Sequence, residues 1–349
     1  MNFPDRPFDL VTMGQLLLRL SPPGNERIAR SDVFEKNVGG AELNVAVGAA
    51  LLGLHTGIIS KLPAHDLGQF MKGTIRSYGV SDDFFIYDHS EDARVGVYYY
   101  EYGAYPRKPQ VIYDRRHSSF FSLNLDEIDP EVYKSTKCFH TSGITLALSP
   151  QLRETTIEAI KRFKENGALI SFDVNFRGNL WSGEEARETI LKILPYVDIF
   201  FCSESTAQLT FLKTGSCREM IKSFTEEFPI KAVFATQRTV HSPKSHDFSS
   251  LAYCAERDAY FEEPAYENID VVDRIGSGDA YISGALYGLI HSNGDVQEAV
   301  KYGNATSAMK NTIPGDLPQS SLKEIESVIR DHYSTGFHSE MDQIGRAHV

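Results

Sequence analysis

Short apolar runs alternate with helix-like stretches of about ten or more residues. That alternation constrains the fold of this chain more than any other feature. Leu10–Gly14, Thr56–Ser60, Cys138–Ser142, Leu169–Val174, Asp198–Cys202 and Lys231–Thr236 read as strands. Between and after them, Ala41–Leu54, Leu67–Tyr78, Pro150–Asn166, Gly183–Leu194, Arg218–Phe228, Asp295–Asn311 and Leu322–Tyr333 read as helices. In Pro150–Asn166 the side chains of Leu152, Thr156, Ala159, Ile160 and Phe163 share one face, and Asn166-Gly167 is a helix stop. This order predicts an α/β fold with a mostly parallel sheet covered on both faces. Two segments break the rhythm, Glu26–Lys36 and Ala93–Arg116. Within the second, Val95–Tyr102 can present alternate residues to two faces, as in an antiparallel ribbon. A small β-sheet standing off the main domain is expected from them.

The stretch Asp273-Arg274-Ile275-Gly276-Ser277-Gly278-Asp279-Ala280 carries the most chemistry. A β-like run, Ile269–Val272, precedes it. A helical face follows, formed by Ile282, Ala285, Leu286, Leu289 and Ile290. Strand, Gly-X-Gly and helix start together place bare backbone N–H groups and the positive end of a helix dipole at one point, which suits a phosphate. The glycines let backbone approach phosphate oxygens without a Cβ in the way. Asp279 falls in the first helical turn, where its charge is favoured and a low pKa is expected. A carboxylate beside a phosphate cradle needs a purpose, and taking a proton from a hydroxyl that attacks the phosphate supplies one. Alone, the same residues could be a glycine-rich turn with an Asp that helps the helix start.

The rest of the composition excludes more than it assigns. The 349-residue chain carries a formal net charge of −12, which argues against nucleic-acid and anionic-membrane partners and leaves anionic substrates to a few local arginines. The Phe8–Leu20 run is interrupted by Asp9, Gln15 and Arg19, unlike a signal peptide. No run approaches the roughly 18 apolar residues of a membrane span. The four cysteines, Cys138, Cys202, Cys217 and Cys254, form no CxxC pair and read as buried thiols, so a cytoplasmic location is expected. One domain is expected over residues 1–343. Residues 344–349, Ile344-Gly345-Arg346-Ala347-His348-Val349, lack structural logic and read as a non-native tail.

Near the N-terminus, Val38-Gly39-Gly40-Ala41-Glu42-Leu43-Asn44-Val45-Ala46 opens the first long helix with a Gly-Gly turn. Together with the later Gly-X-Gly-Asp, it resembles the two-motif pattern of the ribokinase-like (PfkB) carbohydrate kinases, over about residues 8–335. In that family Gly-Gly-X-X-X-Asn contacts sugar hydroxyls, and Asp-X-X-Gly-X-Gly-Asp carries the anion hole and the catalytic base. The resemblance implies a three-layer αβα core plus a β-sheet lid, here at about residues 24–36 and 93–116. Lid sheets with exposed edges often pair between subunits, so a homodimer through the lid is expected. It also implies Asp279 as base, with Gly276, Ser277 and Gly278 holding charge on the transferred phosphoryl.

Asp173-Val174-Asn175-Phe176-Arg177-Gly178-Asn179-Leu180-Trp181 looks like the Asp-X-Asn-X-Arg-X-X-Leu-Trp run of 2-keto-3-deoxygluconate kinases. His140–Ile144 and Leu148–Pro150 look like theirs too. The implied sugar-acid contacts are Gly39, Gly40, Asn44, Tyr98, Tyr113, Arg115, Arg177, Asp279 and Asp316. Guanidinium offers a carboxylate two parallel donors, so Arg177 and Arg115 suit a sugar acid. The implied co-substrate is ATP with Mg²⁺, whose protein ligands stay unassigned. Departures from the pattern fall on the nucleotide side. Ser277 stands where relatives have Ala. Ser203-Glu204-Ser205-Thr206 replaces the usual Asn-X-X-Glu. Thr236-Gln237-Arg238-Thr239, followed by a polar loop over His241–Ser250, replaces Thr-X-Gly-X-X-Gly. Asn175, Ser203, Thr236, Arg238, Asn304 and Ser307, with Gly276, Ser277 and Gly278, are the expected nucleotide neighbours. Terminal-hydroxyl phosphorylation of 2-keto-3-deoxygluconate is therefore expected. A kinase for a neutral sugar such as fructose, or a non-catalytic sugar-acid or nucleotide sensor, is the alternative.

Overall fold

The computed structural model describes residues 1–334. The expected tail at 344–349 and the expected domain end at 343 lie outside the described residues. The strands are β1 (Phe8–Met13), β2 (Leu17–Ser21), β3 (Glu35–Gly39), β4 (Thr56–Pro63), β5 (Phe85–Asp88), β6 (Gly96–Glu101) and β7 (Gln110–Asp114). They continue as β8 (Thr136–Ser142), β9 (Leu169–Asp173), β10 (Ile199–Phe201), β11 (Ala232–Ser242), β12 (Ser245–Cys254), β13 (Ala259–Glu262) and β14 (Tyr266–Asp270). The large ten-stranded sheet runs β13-β12-β11-β10-β9-β8-β1-β4-β5, with β14 also on β12. From β11 to β5 every pairing is parallel; β12, β13 and β14 are antiparallel additions at one end.

Helices cover both faces, as the α/β alternation requires. One apolar layer joins the sheet to helices Pro150–Glu165, Gly183–Leu191 and Cys217–Glu227 through residues such as Phe139, Phe163, Phe172, Phe200 and Phe224. The opposite layer joins it to helices Ala41–Leu51, Ser277–His291 and Val296–Asn311 through Leu10, Val45, Tyr281, Leu286 and Val300. This is the ribokinase-like three-layer arrangement. All four cysteines are free and buried. No helix among the described residues is long and apolar enough to cross a membrane.

The small sheet has the order β3-β2-β6-β7, with β2 parallel to β6 and its other pairs antiparallel. Its outline corrects the expected one. Residues 22–34 are turns and irregular chain, and the strands are β2 before them and β3 after. Leu16–Leu20 hid this strand because both of its faces are covered. Leu16 and Leu18 pack with Val38 and Leu43, whereas Leu17 packs with Tyr98 and Tyr100. A run buried on both sides shows no alternation to read.

A second correction concerns His241–Ser250, expected as a polar loop. It is part of a hairpin in which β11 pairs antiparallel with β12, from Ala232↔Cys254 to Ser242↔Ser245. The polar character arises because β11 is exposed beyond Thr236, while β12 buries His246, Phe248 and Ser250 on alternate positions.

Candidate active site

The carboxyl ends of the parallel strands open onto one cleft, the position where open α/β sheets hold ligands. Its volume is about 670 Å³, and residues at or just after the ends of β1 (Gln15), β9 (Asp173, Asn175), β10 (Ser203) and the core part of β11 (Thr236) line it. A hollow of about 390 Å³ continues from it along Asn175, Ser203, Thr236 and Gly278.

Gly276 caps the helix Ser277–His291 with φ +78°, and a Cβ there would stand 2.1 Å from the Asp316 carbonyl oxygen. Only glycine fits that turn. Asp273 braces it by accepting from the Ile275 N–H at 3.0 Å. The Ser277 N–H, expected to face a phosphate, instead donates to the Arg274 carbonyl at 3.2 Å. The N–H groups of Gly276, Gly278 and Asp279 meet no acceptor among the described residues, so they form the available cradle. A Cβ on Gly278 would meet nothing within 4 Å, which leaves room for an anion against the backbone.

Asp279 lies half-buried in this first turn. Asn44, from the helix Ala41–Leu51, donates its Nδ2 to Asp279 Oδ2 at 2.7 Å, and its own Oδ1 is buried with no partner among the described residues. The expected low pKa is corrected. Burial pushes the Asp279 carboxyl up to about 7, helped by the Glu42 and Asp316 carboxylates, although Asn44 and Arg177 pull the other way. Desolvation here outweighs the helix dipole. Asp173 is likewise pushed up to about 7, first by burial and then by Asp279. If Asp279 acts as base it must be ionised, so kcat/KM should fall as pH drops through about 7, with a midpoint that belongs to the coupled pair. A pH–rate profile that stays flat down to pH 5 would remove Asp279 from that role.

Two arginines that suit a carboxylate also line the cleft, Arg115 and Arg177. Arg115 is buried, donates its Nε to Gln15 Oε1 at 2.8 Å, and lies 5.5 Å from the centre of the Tyr113 ring. Burial, and also the charge of Arg177, lowers its pKa, so the two guanidiniums feel one another. Arg177 is exposed on the loop after β9, with Nη1 donating to the Phe176 carbonyl at 3.1 Å.

Tyr98 on β6 donates its hydroxyl to Asp316 Oδ2, and both line the cleft. Gly40 and Tyr113 line it as well, whereas Gly39 packs its backbone against the Asp316 carboxylate. Of the expected nucleotide neighbours, Asn175, Ser203, Thr236 and Arg238 line the cleft. Asn304 and Ser307 do not: both are fully buried, and Asn304 accepts from Ser250 Oγ at 2.8 Å behind β12. Asn304 Nδ2 and Ser307 Oγ are buried with no partner among the described residues.

Sequence reasoning passed over Glu42, which lines the cleft yet is buried, its Oε1 accepting from Ser142 N–H at 3.1 Å and from the Ser142 and Thr145 hydroxyls at 2.7 Å. Burial raises its pKa. A lone carboxylate in the first turn of an otherwise apolar helix was the available signal. Arg274 also lines the cleft, beside the cradle. Among the described residues no group of His, Cys, Asp and Glu converges as a metal cage.

Comparison with known proteins agrees with this architecture. The model of the pfkB family carbohydrate kinases matches residues 8–318. A 2-dehydro-3-deoxygalactonokinase from Haloferax volcanii is 36% identical over 322 residues, covering 92% of this chain and 96% of that protein. A 5-dehydro-2-deoxygluconokinase from Clostridium botulinum is 28% identical, covering 94% of each. The crystal structure of 2-dehydro-3-deoxygluconokinase from Thermotoga maritima superposes with a TM-score of 0.87 at 31% identity, covering 93% of this chain and 99% of that one.

Proposed function

This chain belongs to the pfkB family of carbohydrate kinases, and from that premise we propose that it transfers the γ-phosphoryl of ATP to the terminal hydroxyl of 2-keto-3-deoxygluconate. The observation that carries the reading is that one cleft is lined by the two guanidiniums Arg115 and Arg177 together with Asp279 and the N–H cradle. A substrate with a carboxylate at one end and a primary hydroxyl at the other matches both. The names of the similar proteins, kinases of dehydro-deoxy gluconate and galactonate, support the same class.

In this reading Asp279, held by Asn44, takes the proton of the terminal hydroxyl as that oxygen attacks phosphorus. The N–H groups of Gly276, Gly278 and Asp279, at the positive end of the helix, meet charge on the transferred phosphoryl. The open space beside Gly278 fits a phosphate, and Asn175, Ser203, Thr236 and Arg238 would border the nucleotide. Mg²⁺ bound with the nucleotide would supply charge neutralisation at the transferred phosphoryl. The small sheet, through Tyr98 and Tyr113, screens the cleft from water. Edge strand β7 exposes Val111 and Ile112, which supports a homodimer through that sheet, to be checked by its mass in solution.

The test is kcat/KM for 2-keto-3-deoxygluconate, its C4 epimer and fructose, in the parent and in Arg177→Ala. Loss of a charged hydrogen-bond partner should cost the sugar acids about 1.5–3 kcal/mol, or roughly 10- to 150-fold, and leave fructose nearly unaffected. If fructose is the best substrate of the parent, or all three fall equally, the sugar-acid reading fails.

A further inference from the structure

Arg19 takes no part in the chemistry above, yet it heads the largest fully buried side chains of the molecule. It sits in the middle of β2, between Leu18 and Leu20. Its Nη1 donates to Asp316 Oδ1 at 2.7 Å, its Nη2 to Asp273 Oδ2 at 2.9 Å and to the Tyr102 hydroxyl at 2.8 Å, and its Nε to Ser21 Oγ at 2.9 Å. The Tyr100 ring lies against the guanidinium at 4.3 Å. A buried ion pair on its own is weak evidence for anything beyond structure. Here, however, both carboxylates lead into the site. Asp273 also accepts from Ile275 N–H and Gly315 N–H, so it anchors the turn that carries the cradle. Asp316 lines the cleft, and its second oxygen receives the hydroxyl of Tyr98, which lines the cleft beside it.

Hydrogen-bond polarity then follows step by step. An arginine is permanently cationic. A carboxylate gripped by one is ionised, and an ionised carboxylate only accepts. The one proton of the Tyr98 hydroxyl is therefore committed to Asp316. What Tyr98 has left for a ligand is a lone pair. A ligand group that meets it must be a donor, which a hydroxyl is and a carboxylate or keto oxygen is not.

We propose that Arg19 is a positioning residue that fixes the hydrogen-bonding polarity of Tyr98 through Asp316, so that the cleft selects a substrate hydroxyl at the Tyr98 position and turns carboxylate and keto oxygens away from it. The proposal rests on the sugar-kinase reading only in needing a substrate that carries secondary hydroxyls. Together with Arg115 and Arg177 it gives a sugar acid a single orientation.

Two sets of measurements test it. In the first, the parent and Tyr98→Phe are compared on 2-keto-3-deoxygluconate and its 4-deoxy and 5-deoxy analogues. The parent should lose at least about tenfold in kcat/KM when one of those two hydroxyls is removed, and Tyr98→Phe should lose less than about threefold for the same removal. A deoxy penalty that persists unchanged in Tyr98→Phe overturns the proposal. In the second, Arg19→Met should raise KM by about tenfold or more with a smaller change in kcat, and Arg19→Lys should restore most of the loss.

The pH profile separates positioning from mere support. Asp316 is faced by Arg19 from β2, by Tyr98 and Tyr100 from β6, by Asp273 and Asp279 around the cradle, and by Lys310 from the helix Val296–Asn311. Burial already pushes its pKa up, and Arg19 is the charge that most opposes this. Without Arg19 it should take up a proton at higher pH. The acid limb of kcat/KM in Arg19→Met should therefore move to higher pH than in the parent, and Arg19→Lys should move it back. A folded Arg19→Met with the parent's KM and pH profile overturns the proposal. If Arg19→Met does not fold, the Tyr98→Phe comparison decides. If the parent turns over a neutral ketose and no sugar acid, the functional reading falls, and the same comparison on deoxy forms of that ketose decides the Tyr98 polarity. A parent that phosphorylates no sugar overturns both.

Discussion

Replacing Asp279 by Asn should lower kcat by roughly 10²–10⁴ with the apparent affinity for ATP changed by no more than a few-fold. The substitution keeps the shape of the side chain and can still meet Asn44, whose Nδ2 now donates at 2.7 Å. It removes the one property the reaction needs at that atom, the capacity to take a proton. Because Asp279 is one of several acids facing the cleft, with Glu42, Asp173 and Asp316, its neutralisation relieves repulsion, and the melting temperature should hold or rise. Asp173 is the natural control. It too is pushed up to about 7, but it accepts from Asn175 N–H at 3.1 Å and braces the loop that carries Arg177. Asp173→Asn should therefore affect KM for the sugar more than kcat. Turnover within a few-fold of the parent in Asp279→Asn, or a larger kcat loss in Asp173→Asn, would assign the base elsewhere.

Local chemistry was legible in the sequence where it depends on backbone geometry close along the chain. Gly276 needs its positive φ whatever surrounds it, and the helix Ser277–His291 announces its apolar face. The alternation that predicts the parallel sheet works for the same reason, since each strand and helix displays its own period. What stayed hidden depends on distant partners. Arg19 reads as a charge interrupting an apolar run, and nothing nearby reveals Asp273 and Asp316, far along the chain. Asp279 reads as a well-solvated helix-start carboxylate, and only the folded cleft brings Glu42 and Asp316 close and removes water. The burial of Asn304 and Ser307 was equally hidden: polar residues on a helix read as exposed nucleotide contacts, whereas both are buried and Asn304 accepts from Ser250 of the hairpin. That hairpin was itself misread, because its exposed half carries the polarity of a loop.

Gly276→Ala and Gly278→Ala, two residues apart, should separate folding from catalysis. At Gly276 the backbone is left-handed, at φ +78°, and the added Cβ would stand 2.1 Å from the Asp316 carbonyl oxygen. The left-handed conformation alone costs a residue with a Cβ about 1–2 kcal/mol, and the backbone contact adds to that. Gly276→Ala should therefore lower the melting temperature and the activity together. At Gly278 no positive φ is imposed and the Cβ would meet no protein atom within 4 Å. In the first turn of a helix, alanine is also the better helix former by up to about 1 kcal/mol. Gly278→Ala should fold as well as the parent or better. Its methyl group would nevertheless occupy the space beside the Gly278 and Asp279 N–H groups, where a phosphoryl oxygen must come to lie. Loss of such donors from a reacting oxyanion typically costs about 10²–10³ in kcat, and a loss of that order is expected with an unchanged or raised melting temperature. Thermal unfolding and steady-state kinetics on the two variants measure this directly. A Gly278→Ala variant with parental kcat would mean that the open space at the start of the helix Ser277–His291 is not where phosphoryl transfer takes place.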